Sequence, residues 1–279
     1  MKRTNIRELA VGCDAVALCA FIGEPSDLRK IDYFQSFNAH WNKGFRRSVI
    51  SINYKSPQLR KELQSSVEEL FKNHFPSPYF IHNKKNWPSI CRSLCNMEEN
   101  LLQKCKELGY ELVCKTMDHV SILPEISNIV VEEGADFYYT NGLGIGGCET
   151  RNFDEEKLLH DFFFPQTNFY FLNVAKVDYL YNMTEVIERG RAWEKNPSIQ
   201  PNGYYITCEH ELANMVSRNN LHSCDLLTPD EWKRIVEKVI FYNLGDPSFK
   251  NLSTAGILHW GSVGAHDNKL LVPKVERLV

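Results

Sequence analysis

No apolar run in this chain of 279 residues approaches the roughly 20 residues needed to cross a membrane. Neither sign of charge dominates. With 32 Lys and Arg against 35 Asp and Glu, the formal net charge is -3. That balance gives no general attraction to a phosphate backbone. Basic clusters are short, as at Lys43–Arg47, so no nucleic-acid partner is expected. No internal repeat or low-complexity tract interrupts the chain, and its charged fraction of 24% is that of a folded protein. The G-x-S-x-G turn that usually announces a Ser-His-Asp hydrolase is missing. Cys91 and Cys95 have no second pair at zinc-ligand spacing, which argues against a structural zinc site.

What is present begins with nine cysteines, an odd number, mostly set in apolar segments. In a chain this long they read as reduced, small core residues of a cytoplasmic protein. Lys2, Arg3 and the apolar Val11–Ile22 have the outline of a secretory signal. Asp14 breaks that outline, and no small-x-small cleavage site follows cleanly, so the stretch reads as a first buried strand. The acceptor patterns Asn182-Met183-Thr184 and Asn251-Leu252-Ser253 matter only for a secreted chain.

Hydrophobic patterning predicts alternating strands and helices. Ala15–Ile22 is a buried strand that ends at Gly23, and Ser26 or Asp27 starts a helix reaching about His40. Ser48–Tyr54 is a second buried strand, and Ser56-Pro57 opens a helix through Phe71. A short strand is expected at Tyr79–His82, then a helix over Ser89–Leu108 that stops at Gly109. Further strands are predicted at Glu111–Lys115, Ala135–Thr140 and Asn168–Val174. Helices follow near Lys176–Arg189, Glu209–Asn219 and Thr228–Phe241, and Ala255–Trp260 is a last apolar stretch. The alternation predicts an α/β fold with helices on both faces of a sheet. In such sheets ligands sit beyond the carboxyl ends of the strands, so the residues just after the strands are the ones to inspect.

The most informative of these ends is Lys115-Thr116-Met117-Asp118, followed by Leu123-Pro124-Glu125. An acid at the tip of a buried strand is costly without compensation. A Mg²⁺ or Mn²⁺ ion carrying a diphosphate is one compensating partner. The other reading of Asp118 is the cap of a following helix or the start of a turn. A helix leading into a strand with this ending resembles the nucleotide-sugar half of a GT-A glycosyltransferase, where the strand ends in Asp-x-Asp and Pro-Glu often follows. The resemblance spans roughly 15–147 in its order of elements. It departs from the motif at Thr116, which stands where the first acid would be.

The resemblance implies one GT-A-like domain over 1–279: a Rossmann-like nucleotide-sugar half at about 1–147 and a mixed α/β acceptor half at about 148–279. Phe21, Ile22 and Gly23 with Asn53 and Tyr54 would flank the nucleotide. Tyr54 would stack on the base and Asn53 would hydrogen-bond its edge, while Gly23 would let the backbone come close. Lys115, Thr116 and Asp118 would lie at the diphosphate. Gly after a strand is also an ordinary turn. His259, in His259-Trp260-Gly261, loosely matches a late histidine that some GT-A enzymes return to the metal or diphosphate; the other reading is a satisfied core histidine. Asp118 and His259 are thus the candidate metal ligands.

The glycine-rich Gly142–Gly147 follows a strand, yet no clean helix opens after it, which disfavours a dinucleotide site. With Asn141 and Gly142 it reads as an acceptor-side loop or a plain connection. Tyr204 and Tyr205 lead into Glu209 and Glu211 at a helix start. The aromatic rings suit sugar stacking. By the same resemblance Glu209, or Glu211 in its place, would take the proton of the acceptor hydroxyl. Acids in a first helical turn also simply complement the helix dipole.

These readings combine into transfer of a sugar from a nucleotide diphosphate donor, UDP-linked by expectation, to a hydroxyl of a glycan. The size and the lack of a membrane span resemble small soluble glycosyltransferases of large DNA viruses and bacteria. The alternatives are a nucleotidyltransferase or other nucleotide-dependent α/β enzyme, and a non-catalytic relative that binds glycan or nucleotide.

Overall fold

The computed structural model describes residues 2–84, 90–118, 120–122, 124–141, 165–178, 180, 181, 183, 208–226 and 257–259. The strands are β1 (Arg3–Asn5), β2 (Ala15–Ile22), β3 (Ser48–Tyr54), β4 (Pro78–His82), β5 (Leu112–Met117), β6 (Val120–Ile122), β7 (Val130–Glu132), β8 (Phe137–Asn141), β9 (Pro165–Asn173), β10 (Ser223–Asp225) and β11 (Ile257–His259). The helices are α1 (Ile6–Val11), α2 (Asp27–Phe37), α3 (Ala39–Asn42), α4 (Pro57–His74), α5 (Ile90–Glu107) and α6 (Cys208–Arg218).

Seven strands form the central sheet in the order β10-β8-β9-β5-β2-β3-β4. β2, β3, β4 and β5 pair in parallel, and β9 runs antiparallel to both β5 and β8. β8 and β10 therefore run with the parallel set. The α/β class is as the patterning predicted, and the sheet is mainly parallel. β2 is buried along its length except at Phe21, as expected for a strand covered on both faces.

Side-chain alternation divides the core. Val16, Leu18 and Ile22 with Ile50 and Ile52 pack against Ile31, Phe34, Trp41, Val67 and Phe71 of α2, α3 and α4. Ala15, Ala17 and Cys19 with Val49 and Val113 face Cys95, Leu101 and Cys105 of α5 and Leu212 and Met215 of α6. Small residues on β2 let α5 come close to the sheet.

Local chemistry sets the ends of these elements. The Ser56 hydroxyl accepts the Leu59 N–H at 3.1 Å, with Pro57 in the first helical position. Beyond α5, Gly109 takes φ +72, while the Tyr110 N–H reaches the Cys105 carbonyl at 3.0 Å. The Asn5–Glu8 capping box that starts α1 is an element the patterning did not anticipate. The helix expected near Lys176–Arg189 is replaced at its start by a 3₁₀ turn over Val174–Lys176, capped by the Asn173 side chain. Residues 184–189, and the helix expected at Thr228–Phe241, lie outside the described residues. No helix among the described residues is long and apolar enough to cross a membrane.

Strand order places the point of interest. From β2 the chain moves outward to β3 and β4, then returns to β5 on the other side of β2. The order reverses between β2 and β5. In open α/β sheets the crevice at the carboxyl ends of such a pair is where ligands bind.

Candidate functional site at the carboxyl edge of the sheet

Asp118 follows β5 directly and is 5% exposed. Its N–H donates to the Cys19 carbonyl at 3.0 Å, and its Oδ2 accepts the Phe21 N–H at 3.0 Å. The acid therefore bridges β5 to β2 across the point where strand order reverses. A backbone N–H supplies part of the compensation that a buried carboxylate needs.

At the tip of β2, Phe21 is 49% exposed while Ile22 is fully buried. The next turn is held by Asp27, whose Oδ2 accepts the N–H groups of Gly23 and Glu24 at 2.8 and 2.9 Å. A Cβ at Gly23 would sit 3.3 Å from that oxygen and 3.4 Å from the Phe21 ring. Glycine lets the ring and the Asp27 carboxylate crowd the same turn.

Asn53 pairs in register with Phe21 on the next strand. It is fully buried, and neither Oδ1 nor Nδ2 has a hydrogen-bond partner. An unmet amide at such a depth is costly and points to a missing polar partner. Thr116 Oγ1, at the end of β5, is likewise buried and unmet.

Tyr54 does not offer the exposed ring expected for stacking on a base. It is 3% exposed, its ring stacks on His82 at 5.9 Å, and its hydroxyl lies 3.3 Å from His82 Nδ1. Burial pushes its phenol above the ordinary value. His82 Nε2 in turn meets Glu68 Oε1 at 3.0 Å. Burial holds the imidazole below its ordinary value, against the opposing pull of Glu68. Tyr54 still lines a shallow cleft with Ser56, Pro57, Arg60, Asn83 and Lys84. Asn83 forms the floor, donating to Ser51 Oγ at 2.9 Å and accepting from Asn100 at 2.6 Å.

Lys115 departs from the role expected at a diphosphate. Alternation along β5 turns it toward α5, where it is fully buried, and its Nζ lies 2.5 Å from Glu98 Oε1. It also donates to the Thr167 carbonyl and lies over the Tyr170 ring at 5.5 Å. This charge is spent inside the core. Glu211, proposed as a substitute base, is 2% exposed on α6 and does not present itself to an incoming hydroxyl.

Glu209 lies in the first turn of α6. Asn141 ends β8 opposite Pro165, at the same edge of the sheet as Asp118. Gly142, Tyr204 and Tyr205 lie outside the described residues. His259 pairs in register with Val120, two residues beyond Asp118. The sheet thus gathers Phe21, Ile22, Gly23, Asn53, Thr116, Asp118 and Asn141 at one edge, with the His259 strand beside Asp118.

Among the described residues no group of three or more His, Cys, Asp or Glu side chains could hold a metal ion. One carboxylate, with one oxygen already bonded to Phe21, does not make a cage. It fits only an ion whose remaining ligands are water and substrate phosphate, the usual habit of Mg²⁺.

Gln35, Asn38 and Asn42 escaped the sequence reading. They lie three and four residues apart beside Ile31, Phe34 and Trp41, so amides on an apolar helical stripe were the available signal.

No family model matches the chain, and no curated protein sequence does. Many solved structures align with it, three of which follow. A nucleoside-diphosphate-sugar pyrophosphorylase from Vibrio cholerae RC9 is 11% identical with a TM-score of 0.37, over 75% of this chain and 90% of that one. Core-mannan synthase A from Aspergillus fumigatus, in its Mn/GDP form, is 9% identical with a TM-score of 0.39, over 73% of this chain and 69% of that one. A glycosyltransferase involved in glycosylation of the major capsid of PBCV-1 is 8% identical with a TM-score of 0.33, over 75% and 80%. Scores this low leave fold and activity to be read from the chain itself.

Proposed function

We propose that the chain is a nucleotide-sugar-dependent glycosyltransferase of the GT-A kind, with its donor site at the carboxyl ends of β2, β3 and β5. The observation that carries this is the placement of Asp118 across the β2–β5 reversal, two strands from the buried, unmet amide of Asn53. An acid suited to a cation–diphosphate pair and an amide suited to a base edge then stand about two strand spacings apart, on the order of 10 Å. A nucleoside diphosphate spans such a distance.

In this reading Asn53 binds the base, the exposed Phe21 ring and Gly23 line the ribose and phosphates, and Asp118 faces the diphosphate. A Mn²⁺ or Mg²⁺ ion held by Asp118, with His259 as a second candidate ligand, supplies positive charge to the departing diphosphate. Glu209 accepts the proton of the acceptor hydroxyl. Tyr204 and Tyr205, in an acceptor half that begins near residue 148, lie on the acceptor side together with Asn141 and Gly142 at the end of the donor half. The donor is a UDP-sugar and the acceptor a glycan.

A second reading has support from one observation. Asp118 is already bonded to Phe21, which suits a protein that binds nucleotide without turnover. A thermal-shift screen of nucleotide sugars, with and without Mn²⁺, followed by assay of the stabilising donor, separates the readings. A glycosyltransferase transfers or hydrolyses that sugar, and Asp118→Asn lowers the rate by about tenfold or more. Stabilisation without turnover supports the binding protein. Pyrophosphate release from a nucleoside triphosphate supports a nucleotidyltransferase. No shift with any nucleotide sugar ends the proposal.

A further inference from the structure

The segment after β5 is held from behind by amides that no part of the donor reading uses. Gln35 Nε2 donates to the Asp118 carbonyl at 3.0 Å, and Asn42 Nδ2 donates to Gln35 Oε1 at 3.1 Å. Asn38 Nδ2 donates to the Val120 carbonyl at 2.7 Å, while Asn38 Oδ1 accepts the Ile122 N–H at 2.8 Å. All three amide side chains are 1% exposed. They come from α2, α3 and the residue between them, within a stripe that is otherwise apolar.

The Asp118 peptide unit is thereby held at three points. Its N–H is bound by Cys19, its carbonyl by Gln35 and its carboxylate by the Phe21 N–H. Asn38 behaves toward β6 as a one-residue strand, filling the backbone edge that carries the Val120 carbonyl and the Ile122 N–H. The opposite edge, that of Ser121, is left to Leu258 of β11. A one-residue slip of β6 would break both Asn38 bonds and shift the register that puts His259 opposite Val120.

Burying three amides in an apolar layer is costly unless each bond is made, and here the bonds converge, directly or through Gln35, on one five-residue stretch. We infer that Gln35, Asn38 and Asn42 are positioning residues: they set the Asp118 carboxylate and the β6–β11 pair that brings His259 beside it. This rests on the donor-site reading above. Apolar side chains of similar size would fill the same space without specifying where Asp118 stands.

The test uses the full chain, with UDP as the probe, titrated with and without Mn²⁺. Wild type binds UDP more tightly with Mn²⁺. Gln35→Met and Asn38→Leu each reduce that Mn²⁺-dependent gain by about tenfold while leaving the metal-free affinity within about twofold, because Asn53 lies on a different strand. Val67→Ala, a core truncation on α4, lowers the denaturation midpoint but keeps the gain, which separates positioning from general stability. Amide hydrogen exchange without ligand shows faster exchange at Ile122 in Asn38→Leu.

If Asn38→Leu does not fold, Asn38→Asp replaces it. It keeps the acceptor for Ile122, loses the donor to Val120, and shows the same loss of gain. Should Asp118→Asn abolish the gain while the Gln35 and Asn38 variants keep it, the positioning role is wrong and the donor site stands. Absence of any gain in wild type, or an unchanged gain in Asp118→Asn, overturns the donor reading and this inference with it.

Discussion

Lys115 Nζ lies 2.5 Å from Glu98 Oε1, and both side chains are fully buried between α5 and the central sheet. The Tyr181 hydroxyl donates to the other Glu98 oxygen at 2.7 Å. The pair thus ties α5, β5 and the stretch after β9 together. Isolated charges at this depth are strongly disfavoured, so each partner makes the other tolerable.

Removing one partner should therefore cost far more than removing both. Glu98→Gln or Lys115→Met alone is expected to destabilise the fold by about 3–5 kcal/mol in chemical denaturation. The double variant Glu98→Leu/Lys115→Met should recover part of that loss. The remainder reflects the Tyr181 hydroxyl, now without its acceptor, at about 1–3 kcal/mol. Single-variant losses below about 1 kcal/mol, as for an exposed pair, would contradict the buried geometry.

His82 should give stability a pH dependence of definite sign. Burial holds its imidazole below the ordinary 6.5, despite Glu68 on Nε2, with the Tyr54 hydroxyl, the Phe80 ring and Arg60 as its other neighbours. The unfolded chain then takes up the proton before the folded protein does. The stability that neutral His82 contributes is complete above about pH 6.5 and declines as pH falls toward the lower folded value. Glu68, held below 4.5 by the Gln64 hydrogen bond and by His82, acts in a lower window and loses its contribution as pH falls through its folded value. Denaturation midpoints at about pH 7.5 and pH 5.5 should differ more for wild type than for His82→Gln. Equal differences would show that His82 is not the group responsible.

Substitution at Gly109 separates steric room from backbone conformation. A Cβ there meets nothing within 4 Å, yet φ is +72. Gly109→Ala should cost about 1 kcal/mol from the left-handed backbone alone. Gly109→Asn should cost less, because asparagine tolerates that region, and Gly109→Val should cost more. Thermal midpoints ordered Gly, Asn, Ala, Val from highest to lowest would bear this out; an unchanged midpoint for Val would refute it.

Thiol reactivity should follow burial. Cys105 is pushed up to about 12 by burial, and Cys114, which is fully buried, lies well above the ordinary thiol value. Cys224 is only partly buried and is raised less decisively, again chiefly by burial. Iodoacetamide on the native protein, read by peptide mass spectrometry, should label Cys224 well before Cys105 or Cys114, because the thiolate is the nucleophile. In denaturant the three should react alike. Early labelling of Cys114 in the native protein would place it wrongly in the core.

Much of the architecture follows from local pattern. The apolar run Ala15–Ile22, the β-branched Ser48–Tyr54, the Ser56-Pro57 helix start and the Gly109 stop each report what a few neighbouring residues prefer. Strand–helix alternation then implied the α/β sheet with helices on both faces. The same reasoning located the carboxyl edge, and with it Phe21, Asn53 and Asp118 as residues gathered there.

Other assignments depended on partners far away in the chain. Lys115 and Asp118 are three residues apart, yet one is spent on Glu98 inside the core and the other reaches Phe21 at the sheet edge. Tyr54 turned out to lie against His82 and not in the open. Period-two alternation sorts strand residues onto two faces, but it does not say what waits on each face. That is decided only when α5 packs on one side and α2 on the other, bringing Glu98 to Lys115 and Gln35 to Asp118 across the folded chain. Composition and periodicity carry backbone preference and burial; the pairing of specific polar atoms is a property of packing alone.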